Sequence, residues 1–309
     1  MPLERSRKRR EMIAGLWHCI APRQFYDMGR VLRSLTSEEL RTAEERAEYY
    51  CRRSLDGNGS IAASELRFPR SKPRHTGYFF PLRKLLNYFP QNLTLNYHFG
   101  DVYDDVDVPT LIKARPIGSQ NATLLPLNAV RHFRFVVADE TPWAEKLPMI
   151  VSRNEVHRKA RVEFMDRWFG HERTDLGQVN ASGGRSELWL RERMTVDQQL
   201  GYKFVACIEG NDVATNLKWV MSSNSLPVMP RPTMETWFME GLLQPGEHYV
   251  GLRDDYSDLL DKMDYYLSRP AEAEEMIRNN HAYVARFRNP RIELAAALLT
   301  LRRYFGLGD

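Results

Sequence analysis

The amino-acid sequence predicts an α/β protein built on a parallel sheet, and three observations carry that prediction. Short apolar runs alternate with segments of helical spacing over about 148–285. Several runs meet a charged or turn residue at their C-terminal end, where open α/β sheets bind their ligands. The chain then closes on helical segments, DYSDLLDKMDYYLS, PAEAEEMIRNNHAYVARF and PRIELAAALLTLRRYF.

In chain order, TSEELRTAEERAEYYCRRSL (36–55) opens with a capping box, Thr36 followed three residues later by Glu39, and continues as a strong helix former. DGNGSIAASELRFPRSKPRHTG (56–77) reads as a long loop, with Arg67, Arg70, Lys72, Arg74 and His75 available to an anionic ligand or to water. LTLNYHF (93–99), PTLIKA (109–114), FRFVVA (133–138) and PMIVS (148–152) read as strands, ending at Asp101, Arg115, Asp139 and Arg153. A helix is expected over 155–169, followed by a Gly-rich stretch with Asn180, Gly183 and Gly184. TVDQQLGYKFVACIEG brings a short helix into a buried strand. VATNLKWVMSS has helical spacing at Val213, Leu217, Val220 and Met221; SLPVM is a further strand, and PTMETWFMEGLL is expected to start a helix.

Composition bounds the function classes. The 309 residues, 43% hydrophobic and 27% charged, suffice for two ordinary domains or one large α/β domain. No run of roughly 18 apolar residues could span a bilayer. Three cysteines without CxxC spacing suggest neither a disulfide framework nor a zinc site, so a reducing cytoplasm is expected, with no export signal. The net charge is only +4, yet residues 1–35 hold eight Arg/Lys (5, 7, 8, 9, 10, 23, 30, 33) against three acids (4, 11, 27). Beside Trp17, Ile20, Phe25 and Leu32, that cluster either rests on anionic lipid or forms a solvated basic arm.

The densest chemistry lies at Glu209-Gly210-Asn211-Asp212, where a buried strand turns towards Thr215, Asn216 and Lys218. Glycine lets backbone approach a ligand closely, and a helix start offers unpaired N–H groups to a phosphate. Thr215 and Lys218, three residues apart, can reach one anion. A polar strand-to-helix turn is nevertheless ordinary, and the pattern is neither GxxxxGK[ST] nor GxGxxG.

The segment from Tyr202 to Phe287 resembles the C-terminal half of glycosyltransferase family 90. YKFVACIEGNDVATNLKWVMSSNSLPVM is similar to the family's strand, Gly turn, helix with a basic residue and "SL" strand. METWFMEGLLQPGEHYVGLRDDYSDLLDKM is similar to its acidic-aromatic, HY and SDL segments. WAEKLPMIVSRNEVHRKAR, PTLIKARPI and LNAVRHF extend the resemblance, towards the bacterial lipopolysaccharide branch, over about 93–287. It implies a GT-B-like fold of two Rossmann-like domains facing a cleft, with C-terminal helices packing back. The expected division is 1–147 on the acceptor side, 148–285 on the donor side and 286–309 as a C-terminal helix. The implied reaction is inverting transfer from a nucleotide-diphosphate sugar, UDP-linked for preference, to a lipopolysaccharide or other surface glycan. No metal or other cofactor is implied, and no nucleic-acid partner. The implied location is the cytoplasm, peripheral on the inner membrane face.

Carried over by position, Arg153 would face the diphosphate, Gly210, Asn211, Thr215 and Asn216 would hold phosphate or sugar hydroxyls, Lys218 would replace an Arg at the pyrophosphate, and Glu235 would touch the nucleoside. Asn154 departs from the family's Gly after Arg153, and Lys218 offers a point charge rather than a fork. The family's catalytic Asp would follow Arg115, where Pro116 stands instead. Asp101 is the preferred substitute base, with Arg115 beside it; Asp104, Asp105, Asp107 and Asp139 remain open. Asp105-Val106-Asp107 also offers a DxD pattern that could ligate a divalent metal. His132 and His248 read as structural more readily than catalytic, and the six tryptophans as core, with Trp237 nearest the donor. The rival reading is a noncatalytic module that binds nucleic acid or an anionic membrane through the basic N-terminal region.

Overall fold

The structure is a computed structural model that describes residues 13–57, 59–71, 75–136, 138–181 and 185–308. Arg5, Arg7, Lys8, Arg9, Arg10, Lys72, Arg74, Gly183 and Gly184 therefore lie outside the described residues, as does Val137. The chain divides into two compact units that are each discontinuous in sequence. Unit 1 comprises Met1–His132, Met234–Phe238 and Phe287–Asp309; unit 2 comprises Phe133–Thr233 and Met239–Arg286.

Unit 1 begins with α1 (13–20), α2 (Met28–Arg33) and α3 (Ser37–Tyr50). The Thr36–Glu39 capping box forms as expected: Thr36 Oγ1 accepts from the Glu39 amide at 3.2 Å and Glu39 accepts from the Thr36 amide at 2.9 Å. The expected loop contains a two-residue strand, β1 (Ile61–Ala62), before α4 (Thr76–Leu86). Next come β2 (Thr94–Leu95), β3 (Thr110–Ile112), β4 (Ala114–Pro116), β5 (Ala122–Leu124) and α5 (Ala129–His132). β1 pairs with β2, and β3 runs parallel to β5.

Unit 2 follows with β6 (Leu147–Asn154), α6 (Lys159–Trp168), β7 (Thr174–Gln178), α7 (Val196–Gln199), β8 (Tyr202–Ala206), α8 (Leu217–Met221) and β9 (Leu226–Met229). The chain returns to unit 1 as β10 (Met234–Thr236), re-enters unit 2 as β11 (Val250–Gly251), α9 (Leu259–Leu267) and α10 (Pro270–Ala285), and ends in unit 1 as α11 (Pro290–Tyr304). The unit 2 sheet has the order β11-β9-β8-β6-β7, with every pairing parallel. Its continuous apolar strands are those of a sheet whose centre is buried: Phe204, Val205 and Ala206 are fully enclosed. Phe164 of α6, Leu259 and Met263 of α9, and Met276 and Ile277 of α10 share one core with Ile150, Phe204 and Val228. Because all five strands are parallel, the residues that follow them gather at one sheet edge.

Three local expectations are corrected. FRFVVA is not a strand: its described residues follow α5 as irregular chain, and the Val136 amide donates to Ser222 Oγ at 2.8 Å instead of joining a ladder. PTMETWFMEGLL does not start an α-helix; Met234–Thr236 pairs antiparallel with β4, Glu235 directly opposite Arg115. A cross-strand charge pair and the β-branched Thr236 favour the ladder over helical propensity. VATNLKWVMSS yields only the short α8, because Asn216 Nδ2 donates to the Ala206 carbonyl at 2.9 Å and holds the preceding chain out of helix. β7 and β11 were not anticipated from the sequence. Among the described residues, no helix is long and apolar enough to cross a membrane.

Candidate functional site

The carboxyl edge of the unit 2 sheet concentrates polar chemistry. Arg153 lies near the end of β6, where its guanidinium donates to the Asp175 carbonyl at 2.8 Å and to Asp175 Oδ1 at 2.6 Å. The other Asp175 oxygen accepts from the Tyr202 hydroxyl at 2.5 Å. Burial, and then that carboxylate, push the Tyr202 phenol up to about 12, so it remains a donor at neutral pH. Asn154 donates to Ser152 Oγ at 2.7 Å.

After β8, the turn Glu209–Asp212 is gripped by the start of α6. Arg158 Nε donates to Asn211 Oδ1, and His157 Nε2 lies 3.2 Å from the same oxygen. Arg161 donates to the carbonyls of Ile208 at 3.1 Å and Glu155 at 3.0 Å. A Cβ on Gly210 would stand 2.9 Å from Arg161 Nη2, so glycine is what lets this guanidinium lie against the turn. Glu209 in turn accepts from Thr233, at 3.0 Å from its amide, tying the β8 turn to the segment after β9. Arg231 and Arg253, which follow β9 and β11, are exposed, and neither guanidinium has a hydrogen-bond or ion-pair partner among the described residues.

The expected residues of this turn divide by environment. Gly210 and Asn211 sit on it, and Thr215 is half-buried just beyond. Asn216 is spent on the Ala206 carbonyl. Lys218 is fully enclosed, its ammonium bonded to Glu240, itself only 1% exposed.

Arg115 and Glu235 are brought together, but in unit 1. Both are fully enclosed, with Arg115 Nε donating to Glu235 Oε1 at 2.8 Å. The rest of the Arg115 fork donates to the carbonyls of Tyr49, Tyr50 and Ala122. Glu235 also accepts from the Tyr49 hydroxyl and lies 3.6 Å from Arg52. Burial, and then Glu235, push the Tyr49 phenol well above its ordinary value. Trp237 is core rather than a sugar platform: it is enclosed, stacked on Tyr50 at 4.0 Å between centroids, and donates to Glu293.

Asp101, also in unit 1, is about a quarter exposed and accepts from Lys113 Nζ at 2.7 Å. The same ammonium lies 3.1 Å from His132 Nε2. Phe99, two residues before Asp101, lines a cavity of about 860 Å³ together with Arg67, Phe68, Arg70, Tyr97 and His98. Of the alternative bases, Asp139 is bound to Lys146 and to the Asn224 amide, both at 2.8 Å. Asp105 Oδ1 accepts from Ser119 Oγ at 2.5 Å and from the Val106 amide, so it ties its own loop. Among the described residues, no group of three acids, histidines or cysteines could hold a metal ion.

Arg158, Arg161, Arg231 and Arg253 were not singled out from the sequence. The signal available was two arginines one helical turn apart straight after β6, within RNEVHRKAR. The fold and this edge define an α/β protein whose parallel sheet ends in a glycine turn held by the guanidinium groups of Arg158 and Arg161. The glycosyl transferase family 90 model matches residues 128–290. Over 273 residues the chain is 41% identical to the O-glucosyltransferase LpsA of Dichelobacter nodosus, spanning 87% of this chain and 85% of that one. Shorter stretches match viral proteins: 32% identity over 94 residues to Uncharacterized protein 035R of Invertebrate iridescent virus 3, and 33% over 88 to Uncharacterized protein 027R of Frog virus 3. These stretches span 30% and 27% of this chain but 8% and 9% of the viral ones. The chain belongs to glycosyl transferase family 90 and is a glycosyltransferase, which displaces the noncatalytic reading.

Proposed function

We propose that this glycosyltransferase moves a sugar, with inversion, from a nucleotide-diphosphate donor to a hydroxyl of a lipopolysaccharide-type surface glycan. The observation that carries the reading is the glycine turn at Gly210, against which α6 lays Arg161 while Arg158 holds Asn211. The strand order puts Arg253, Arg231 and this turn side by side along one edge, next to the end of β6, where the Arg153 guanidinium turns back onto Asp175. Planar guanidinium forks match a diphosphate bidentately and need no metal to offset its charge. In a GT-B plan, unit 2 is then the donor side and unit 1 the acceptor side. The O-glucosyltransferase relative favours glucose as the sugar and UDP is the preferred nucleotide.

Chemistry requires one displacement. A base takes the proton of the acceptor hydroxyl, its oxygen bonds to the anomeric carbon from the face opposite the leaving group, and the C–O bond to the diphosphate breaks with its electron pair on the departing oxygen. Arginines at the phosphates stabilise that developing charge. Asp101 is the proposed base, oriented by Lys113, and the cavity lined by Phe68, Tyr97 and Phe99 is the proposed seat of the acceptor, its rings suited to sugar faces. Arg115–Glu235 and Lys218–Glu240 are assigned to scaffolding because all four groups are enclosed.

A thermal-shift screen against UDP, GDP, CMP and their sugar conjugates, with and without Mg²⁺, tests the reading, since a ligand of the folded state raises the midpoint. One diphosphate should stabilise the protein independently of Mg²⁺. Arg161→Ala and Arg231→Ala should weaken it about 10–100-fold, the worth of a charged hydrogen bond. Unchanged affinity in both variants, or no response to any nucleotide, overturns the donor site.

A further inference from the structure

Helix α1 carries Ile13, Leu16, Trp17 and Ile20 at the spacing i, i+3, i+4, i+7, which places four large apolar side chains on one face. In a globular protein such a face is ordinarily turned inward. Here all four are between 49 and 77% exposed. The residue that seats the helix is Gly15, which is buried near the opposite side of the helical wheel. A Cβ built on Gly15 would come 2.3 Å from Phe80 Cγ, so only glycine permits the helix to lie this close to α4.

Two further ties fix the same orientation. The His18 carbonyl accepts from Asn87 Nδ2 at 2.7 Å, and His18 Nδ1 lies 2.8 Å from the Tyr26 hydroxyl. The helix is therefore held by its glycine side with its apolar stripe outward, and Phe25, 63% exposed, adds to the uncovered apolar surface soon after it. An exposed contiguous patch of this kind marks an interaction surface.

Charge identifies the occupant. Arg5, Arg7, Lys8, Arg9 and Arg10 immediately precede the stripe in sequence, relieved only by Glu4 and Glu11. On α2, Arg30 and Arg33 are exposed, Arg33 lying 3.7 Å from Asp27. Pairing two copies through this stripe would bring two such basic runs towards each other, whereas an anionic surface attracts them. Aliphatic side chains give a nucleic acid little to read, but they partition into acyl chains, with a tryptophan at headgroup level.

We propose that α1 is an interfacial helix that lays its Ile13–Leu16–Trp17–Ile20 face into an anionic lipid surface, with the preceding basic run at the headgroups. The inference is independent of the donor assignment. It gives the enzyme a fixed attitude on a membrane, where a lipid-borne acceptor would be met.

The test is co-sedimentation of the full chain with phosphatidylcholine vesicles, with and without phosphatidylglycerol, at low and high salt. Binding should require phosphatidylglycerol and weaken with salt. Trp17→Ser/Ile20→Ser should bind about tenfold less or weaker still, since it removes two buried anchors. Arg7→Gln/Arg9→Gln/Arg10→Gln should remove the dependence on anionic lipid. Because Trp17 and Ile20 are 54% and 77% exposed, Trp17→Ser/Ile20→Ser should keep nearly the wild-type melting temperature. Equal binding of wild type and Trp17→Ser/Ile20→Ser, or no vesicle binding at all, overturns the proposal. A wild-type dimer that becomes monomeric in that variant without binding vesicles would make the stripe a self-association surface instead.

Discussion

At the scale of single residues, the most telling outcome is where the charged candidates went. Lys218 and Glu235 are both within motifs that resemble a donor site, yet each is enclosed with an opposite charge. Removing one partner of such a pair leaves the other buried and uncompensated, a cost of about 3–5 kcal/mol, whereas replacing both with apolar groups is far milder. Lys218→Met should therefore lower unfolding free energy by about that amount, and Lys218→Met/Glu240→Leu should recover much of it. Urea denaturation of the two variants checks this; equal stability of Lys218→Met and wild type would show that the ammonium is not committed to Glu240. The sequence displays the charges but not their partners, because Arg115 and Glu235 lie 120 positions apart. Gly210 was legible because a glycine at a strand end marks either a turn or a close approach, and the Arg161 contact shows the second.

At the scale of elements, local signals were read well wherever short-range chemistry decides. The capping box read at Thr36–Glu39 closes within one helical turn, as does one at Thr195–Gln198 that was not read from the sequence. β10 was misread because its strand identity depends on β4. The Gln244–His248 turn before β11 yields a pH dependence. His248 Nδ1 accepts from the Gln244 amide at 3.2 Å, and its ring meets Tyr283 edge-on. Burial holds its imidazole below the ordinary value, the more so for the charge of Arg286, with Glu247 opposing. The folded protein thus favours neutral His248, and the unfolded chain takes up the proton first as pH falls through about 6.5. Stability should drop between about pH 7.5 and about pH 6, and His248→Gln, which can accept the same hydrogen bond without charging, should flatten that slope. Denaturation midpoints across the interval measure it; an unchanged slope would assign the dependence to other groups, such as His18.

At the scale of the whole molecule, the units are interleaved in sequence, and this has a folding consequence. Unit 1 needs the last 23 residues, Phe287–Asp309, since α11 packs on α3 through Arg46–Glu293 at 2.5 Å and Arg291–Glu39 at 2.7 Å. Leu298 and Leu301 of α11 and Ala43 and Tyr50 of α3 are fully enclosed. A chain ending at Arg286 should lose protection of unit 1, with limited proteolysis cutting within 13–132 while a fragment over about 133–286 resists. Resistance throughout would mean that α11 is dispensable.

By itself, the sequence determined what periodicity, caps and motif order encode: a parallel α/β unit over the C-terminal half, its polar turn at Glu209–Asp212, and the family. These are properties of neighbouring residues, fixed by helical and strand repeats and by groups within hydrogen-bond reach along the chain. Only the tertiary structure decided which charges are enclosed, that Met234–Thr236 is a strand of unit 1, that Arg158 and Arg161 converge on Gly210, and that the apolar face of α1 points outward. Each of those depends on which distant segment lies alongside, and burial is a property of that neighbour rather than of the residue.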